Sequence, residues 1–481
     1  MTLTDFLSIL PLIFLLVWAL LLLLTGLFLP KRLENLPPYL AALGLIASFV
    51  FLMVFNTTTP ISGFKDMVVT DGFSIFLDSL FLLGGLLAVL ISPAYLQRIG
   101  VKNYEYYPLM LLSVSGMMLM ASAADLIVVF LALELLSIPL YILAGLAHPK
   151  LESEEAALKY FLLGSFASGF VLFGTAFTFG AAGTTNLAAL VAAISAGTAN
   201  LTFLVVGGVL LLVGIGFKVA LVPFHGWAPD VYQGAPSSVT AFMAFGAKAA
   251  GFAALLRLFS LVFPSVQDVF LPIFAVLAAL TMLVGNVLTV VQSNLKRMLA
   301  YAGIAGAGYV LMAFVPFGNT AVQADSVASA LFYLMSFALA SFGAWAVLVS
   351  LEDADGKGLE LENLAGLGKK APIQAAALTI FMLSFAGIPL TLGFWGKFYL
   401  FRTVIAGGAI WLAVLGLLTS LVGAYFALRV ILTMYFKEGQ PTVFRSFWTT
   451  FVVIFTALCV VVLSFIPAEL FNLAAKALIG A

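Results

Sequence analysis

One cysteine and two histidines in 481 residues leave little material for metal or disulfide chemistry. The single thiol, Cys459, lies inside an apolar run, where a buried free thiol is expected; a disulfide or an iron–sulfur cluster held within this chain is therefore excluded. His148 and His225 leave little room for a haem or a multi-histidine metal site. There is no P-loop and no GxGxxG followed by an acid, so neither nucleotide hydrolysis nor dinucleotide binding is expected. Charge is also scarce, at 9% of residues and balanced at 21 basic against 21 acidic, and no nucleic-acid partner is expected.

What fills the chain is apolar: 63% of residues are hydrophobic, and the mean hydropathy is +1.19. Successive runs of about 20 apolar residues describe an all-α polytopic membrane protein embedded in a lipid bilayer, with no room for a large water-soluble domain. Windows between turn and charge punctuation give about fourteen transmembrane helices. They fall near 8–29, 38–56, 73–95, 106–122, 125–147, 156–180, 201–222, 237–262, 269–291, 297–317, 326–350, 372–400, 408–436 and 447–471. The first run is too long for a signal-peptide core and follows Asp5 instead of a basic segment, so it reads as a retained helix.

Lysine and arginine in short loops stay on the cytoplasmic side. Loops after odd-numbered runs hold Lys31, Arg32, Arg98, Lys102, Lys150, Lys296, Arg297, Lys357, Lys369, Lys370, Lys437 and Arg445. The other side has only Lys65, Arg402 and Lys476, with Arg257 at a helix end. This asymmetry predicts both termini on the non-cytoplasmic side. The most charged stretch, Glu352 to Lys370, reads as a solvated cytoplasmic loop. Glycines within the runs, such as Gly164 and Gly169, read as close helix packing and not as a dimer motif.

Two runs are irregular. The seventh passes through Pro223 into His225, Gly226 and Trp227, with Lys218 before the proline; the twelfth contains Gly387, Ile388 and Pro389, with Lys397 after it. Proline removes a backbone donor, so non-helical backbone is expected there, tolerated only where it faces protein or water. Matched interruptions in two halves point to a transporter's ion site, although coincident prolines in glycine-rich helices would look the same. Runs four to eight and nine to thirteen then form two five-helix units, the odd number inverting the second. The boundaries are 1–105 for the first three helices, 106–262 and 269–436 for the repeats, and 437–481 for the last helix.

Six ionisable residues lie within or against the runs: Glu134, Lys159, Lys218, His225, Lys248 and Lys397. A charge at the bilayer centre costs ~2.5–3.5 kcal/mol even on permissive scales, so such groups are candidates for ion or proton pathways. Lysine is the informative type, because its pKa falls readily on burial and arginine's does not. Glu134 is about nine residues into the fifth run, ~14 Å at 1.5 Å per residue, and is read as the only acid that deep. Lys248 reaches similar depth from the other side. Lys159, with Glu154 and Glu155 just before it, serves either the buried row or a surface ion pair. His225 is either a proton conduit to the cytoplasm or a structural histidine. Four lysines against one glutamate cannot all be charged in a low dielectric, so their protonation states should be coupled, which is the chemistry of a relay. Asp230 and Tyr232 read as turn and capping residues, and Asp78 as a shallow, water-facing acid.

From Phe217-Lys218 through Pro223-Phe224-His225-Gly226-Trp227-Ala228-Pro229-Asp230-Val231-Tyr232-Gln233-Gly234-Ala235-Pro236, the chain resembles the antiporter-like subunits of respiratory complex I. Ala247-Lys248-Ala249-Ala250-Gly251-Phe252 and Gly393-Phe394-Trp395-Gly396-Lys397-Phe398-Tyr399 look specifically like subunit N, the mitochondrial subunit 2 family. Gln292 through Lys296-Arg297-Met298-Leu299-Ala300-Tyr301 also matches, and the resemblance covers nearly the whole chain. It implies fourteen helices with two inverted repeats, and a proton-translocating subunit of a bacterial inner-membrane NADH-quinone oxidoreductase. Glu134 and Lys218 would be the charged pair of the first half-channel, Lys248 the central relay and Lys397 the end of the second, with Lys159 matching a lysine typical of subunit N. The resemblance implies no cofactor in this chain; FMN, iron–sulfur clusters and quinone would belong to partner subunits, reached through other membrane subunits that carry a peripheral redox arm. The chain would be an enzyme only as part of that assembly. A multi-subunit cation/proton antiporter or a membrane-bound hydrogenase uses related subunits, but the Ala-Pro-Asp-Val-Tyr run and lysine at 397 argue against both. The sequence departs from the family pattern at Ala305-Gly306, where Ala-His is usual, so water or Tyr301 is expected to take the histidine's place. Ser237-Ser238 replaces a common Thr-Pro, which should affect only how helix eight starts.

Overall fold

The computed structural model describes residues 3–28, 30, 33, 35–55, 60–101, 104–477 and 479. Lys31, Arg32 and Lys102, counted above among the loop cations, lie outside the described residues. Every apolar run is helical. The helices are α1 Leu10–Gly26, α2 Pro37–Val54, α3 Gly72–Arg98, α4 Tyr106–Ser122, α5 Leu126–Ala144, α6 Leu151–Ala182, α7 Leu201–Lys218, α8 Ser237–Leu261, α9 Gln267–Val291, α10 Leu295–Met312 and α11 Thr320–Leu351. They continue as α12a Pro372–Ala386, α12b Leu392–Ala406, α13 Ile410–Phe436 and α14 Phe447–Val462. Among the described residues, 11 helices are long and apolar enough to cross a membrane, and α1, α4 and α12a are shorter apolar helices.

Short polar side chains start many of these helices. Asp71 caps α3 in a reciprocal box with Ser74, and Asp125, Asn200, Asn294 and Asn319 each accept from a first-turn N–H of the helix that follows. Such caps satisfy donors that would otherwise be orphaned at the membrane faces. An amphipathic helix not expected from the sequence, Leu187–Ser195, is capped by Asn186. A small antiparallel hairpin, Ile61–Gly63 with Val68–Thr70, lies beside it, Asn186 Nδ2 donating to the Asp66 carbonyl.

α8 is buried along its whole apolar window, and α10 and α11 nearly so, whereas α2, α6 and α14 bury well under half of theirs. A helix apolar all round and buried belongs at the centre of a bundle; a half-exposed apolar one belongs at its lipid face. Packing follows the same order in both halves: α4 against α5 as α9 against α10, and α6 against α7 as α11 against α12a and α12b.

Loops after odd-numbered and even-numbered helices gather at opposite ends of the bundle. At one end Lys150 donates to the Ala354 carbonyl, Asn294 bridges Glu360, and Arg98 donates to the Val349 carbonyl and lies 4.3 Å from the Phe444 ring centre. At the other, Asp125 bridges Asn186 and Arg402 pairs with Asp325 at 3.3 Å. The charged stretch after α11 is not simply solvated. Leu359, Leu361, Leu364 and Leu367 are buried, and the Leu295 and Leu361 amides donate to the Leu359 and Ser293 carbonyls, fastening the loop over the start of α10. Cys459 is free and only half-buried on α14.

Candidate functional site

Both irregular runs break. α7 ends at Lys218 itself; Ala220 has φ +59°, and the chain turns through Pro223 and His225 into a short helix, Trp227–Gly234. The freed backbone is satisfied locally: Trp227 Nε1 donates to the Phe217 carbonyl at 2.9 Å, and the Val222 amide donates to Thr281 Oγ1 on α9 at 3.1 Å. The second break separates α12a from α12b. Gly387 closes α12a at φ +79°, a left-handed position that glycine takes without strain, and Leu390 follows at φ +71°. The Gly393 amide, at the start of α12b, donates to Ser384 Oγ at 3.2 Å.

Three lysines sit on these elements and on α8 between them, each nearly sealed: Lys218 is 3% exposed, Lys248 5% and Lys397 6%. Lys218 Nζ donates to Ser137 Oγ on α5 at 2.8 Å and to Tyr160 OH on α6 at 2.9 Å. Glu134, one turn before Ser137, is partly buried and accepts from Ser168 on α6; it makes no direct ion pair with Lys218. The charged pair implied by the resemblance is therefore linked through neighbouring turns of α5 and α6. Lys397 Nζ donates to the Phe385 carbonyl at 2.8 Å, to the Ala386 carbonyl at 3.4 Å and to Ser420 on α13. The end of α12a thus presents its free carbonyls, the negative pole of a half-helix, to the ammonium of α12b.

Lys248 lies between these two. Its Nζ is 5.6 Å from the Tyr232 ring centre and has no hydrogen-bond partner among the described residues. It reaches α10 at Gly303, where a Cβ would sit 2.6 Å from it. The stem of Lys218 packs on α8 at Gly251, one turn beyond Lys248. Just before Lys248 the helix widens into a π turn over Met243–Ala247, a distortion common at functional positions. From α10 the line continues through Tyr309, whose ring centre is 4.8 Å from Lys397 Nζ and whose hydroxyl meets Thr419 Oγ1 at 3.1 Å. Tyr309, not Tyr301, is the tyrosine at Lys397. The position expected for a histidine is closed otherwise: the Phe337 ring packs on Gly306, where a Cβ would meet it at 2.8 Å. Beside them is a cavity of about 20 Å³ that Asn286, Thr289 and Tyr309 also line.

Of the two roles open to Lys159, the structure shows the surface ion pair: it is 40% exposed and pairs with Glu155 and Asp230, both at 2.7 Å. Other sequence expectations need correction. Asp230 is no mere turn residue, since it also accepts from Arg297 at 2.8 Å and so joins α6 to α10. Partial burial alone would raise its carboxyl, but hydrogen bonds from Lys159 and Arg297 hold it below its usual range. Tyr232 is not a cap: it is buried against Trp227 and Trp345 under Lys248. His225 is half-buried in the first break, and its Nδ1 has no partner among the described residues; none of the lysines bonds to it. Asp78 does not face water. It is 6% exposed on the interior face of α3, below the point where Arg257 forks onto Asp71 at 2.9 and 3.0 Å. Glu134 is accordingly not the only acid inside the bundle, and Arg257, one turn before the end of α8, is 1% exposed and paired with Asp71.

Sequence reasoning also missed a sealed pair at the loop-rich end. Lys296 Nζ lies 2.9 Å from Glu352 Oε1, and each side chain is 5% exposed. Among the described residues no group of three or more His, Cys, Asp or Glu side chains could hold a metal ion.

Discontinuous helices bearing sealed lysines define a class: polytopic membrane proteins that move ions along a polar axis inside a helix bundle. The family model described as "NADH:quinone oxidoreductase/Mrp antiporter, TM" matches residues 123–423. NADH-quinone oxidoreductase subunit N of Trichlorobacter lovleyi is 45% identical over 433 residues, covering 90% of this chain and 88% of that one. Subunit N of Chloroflexus aggregans is 43% identical, covering 98% and 96%. Among solved structures, a chain of respiratory complex I from Thermus thermophilus superposes with a TM-score of 0.83 at 36% identity, covering 97% of this chain and 99% of its own. The chain belongs to this family, within the subunit N proteins.

Proposed function

We propose that this chain is a proton-translocating membrane subunit of a bacterial NADH-quinone oxidoreductase, working in the cell (inner) membrane with both termini on the non-cytoplasmic side. Electrons pass from NADH to quinone in partner subunits, which hold FMN and the iron–sulfur clusters; this chain contributes protonatable side chains. The packing order shared by the two halves supports two five-helix repeats, 106–262 and 269–436.

The observation that carries the reading is the sealed row Lys218, Lys248, Lys397, spanning both interrupted helices and the helix between them. Protonated Lys218 can pass its proton by way of the Tyr160 or Ser137 hydroxyl and become neutral, with Glu134 one turn away to favour its recharging. Lys248 is held by a ring and no fixed acceptor, so its charge responds to either neighbour. Lys397 ends the row on backbone carbonyls. A change of charge at one lysine alters the cost of charging the next, which couples the three. Lys159 and His225 would serve the approaches, at the rim and at the first break.

The test is the assembled complex in proteoliposomes, with NADH-to-quinone electron transfer and acidification followed together. Lys248→Ala should leave the assembly intact and suppress pumping. Normal pumping would overturn the relay, and sodium-dependent proton flux without electron transfer would move the reading to an antiporter.

A further inference from the structure

A polar cavity of about 590 Å³ opens at the loop-rich end of the bundle. Glu155, Lys159, Asp230 and Lys357 stand around it, and Tyr95, Lys296 and Glu352 form its inner wall. Its size and lining admit water freely. The inner wall is unlike the rim. Lys296 and Glu352 are sealed, and Glu352 also accepts from Tyr95 OH at 2.7 Å. That hydroxyl in turn accepts from the Ser237 amide at 2.9 Å, and Ser237 is the first residue of α8, the helix that carries Lys248. The Ser237 hydroxyl is buried beside Glu352 and Tyr95. A second element runs inward from the same wall: Gln233, Gly234 and Ala235 line the cavity, and Tyr232 beside them places its ring 5.6 Å from Lys248 Nζ.

Lys296 is held by more than its ion-pair partner. Lys296 Nζ has three acceptors, Glu352 at 2.9 Å and the carbonyls of Ala235 and Gln233 at 3.0 and 3.3 Å. If Glu352 becomes neutral, Lys296 keeps two of them and is not stranded. Glu352 depends more on its partner: burial by itself pushes its carboxyl up, and Lys296, with the Ser237 and Tyr95 contacts, brings it below the ordinary range. Other charged groups around it are Arg98, which donates to the Val349 carbonyl and lies over the Tyr95 ring, Asp353, next in the chain, and Lys150, Glu152, Asp355 and Glu360 of the cavity wall.

We propose that this cavity is the mouth through which protons enter the relay, and that the Lys296–Glu352 pair is its gate. The inference rests on the translocation reading above. With the pair closed, Glu352 is ionised and takes no proton. When Lys296 shifts onto the Ala235 and Gln233 carbonyls, the desolvated carboxylate takes a proton from cavity water, and Lys296 keeps its own. Glu352 then gives that proton inward, by way of the Tyr95 and Ser237 hydroxyls, toward Lys248, and the restored carboxylate recaptures Lys296. Ser237 is then a conducting residue, more than a variation in how α8 begins.

The experiment is Glu352→Gln in the assembled complex, with protons pumped per electron measured across pH 6 to 8. The expected result is a loss of about 100-fold, the lower end of what a positioned proton-transfer group contributes, with a flattened pH profile. Glu352→Asp should restore most of the pumping, and Glu362→Gln, on the same face outside the cavity, should match wild type. Wild-type pumping and pH profile in Glu352→Gln would overturn the gate. Should that variant not assemble, Tyr95→Phe keeps the ion pair and removes only the hydroxyl: severalfold slower pumping supports the gate, and unchanged pumping overturns it. Lys248→Ala separates the two ideas. If it stops pumping while Glu352→Gln does not, the gate alone fails; if it pumps normally, the relay fails and the gate with it.

Discussion

Lys218 and Lys397 occupy matching breaks but are held by different chemistry. Lys218 ends its half-helix and bonds only to side chains, Ser137 and Tyr160, with an acid one turn from the first. Lys397 lies inside its half-helix and bonds to two main-chain carbonyls from the facing half, with Ser420 beside them. Side-chain acceptors can rotate away, and one of them can itself carry a proton. Carbonyls fixed at a helix end can do neither. The first site is thus suited to exchange with its neighbours, and the second to hold a cation until the rest of the row changes charge.

The sharpest way to break this comparison is to remove the amines. Lys218→Ala and Lys397→Ala should each cut pumping by about 100-fold in the assembled complex, the scale of a lost proton-transfer group. A loss confined to one of them would mean that the two halves do not act in series. Arginine separates the sites next. Because arginine does not deprotonate, Lys218→Arg should stop pumping nearly as completely as alanine, whereas Lys397→Arg should keep more of it if that site mainly supplies a positive charge; acidification rates in proteoliposomes decide this. A smaller effect is expected from the hydroxyls. Ser137→Ala removes one of two acceptors from a buried ammonium, a bond worth about 1.5–3 kcal/mol, and should slow pumping more than Ser420→Ala, which leaves both carbonyls in place. Smallest is Lys159→Ala: an exposed pair is worth little, so pumping should stay near wild type. A loss there as large as for Lys218 would return Lys159 to the row.

Outside the row, Arg257→Leu should strand Asp71 in the interior. Losing one partner of a buried pair costs about 3–5 kcal/mol, so the expected outcome is a lower thermal midpoint of the purified complex, with little change in protons per electron among the molecules that assemble.

The membrane-spanning architecture was legible because each run is long, uniform and bounded by charge, and both breaks were legible because proline and glycine are costly in mid-helix. The three sealed lysines stood out for the same reason: a cation within twenty apolar residues has few places to go. What could not be read were the partners. Asp71 and Arg257 are 186 positions apart, and nothing in either neighbourhood names the other. Lys296 and Glu352 sit in short hydrophilic segments, which look alike whether they are solvated or sealed under a folded loop. The leucines at 359, 361, 364 and 367 carried that information, but only a structure shows that they fold the charged segment back onto α10. Asp78 misled because its depth along α3 was read from helix length, whereas burial there depends on what covers the helix end.

The π turn at Met243–Ala247 has one further consequence, for phase. Ser237 and Lys248 are eleven residues apart, a spacing that would align them on one face of a regular α-helix. The extra residue taken up by the wider turn sets the two ends of α8 out of step by roughly 100°. One end can therefore face the polar mouth while the other turns its amine toward Gly303. Closing the turn without removing a residue would bring the two ends back into phase and swing Lys248 away from Gly303, whereas a single-residue deletion would leave them about ten α-helical residues apart, still out of phase, and keep its aim.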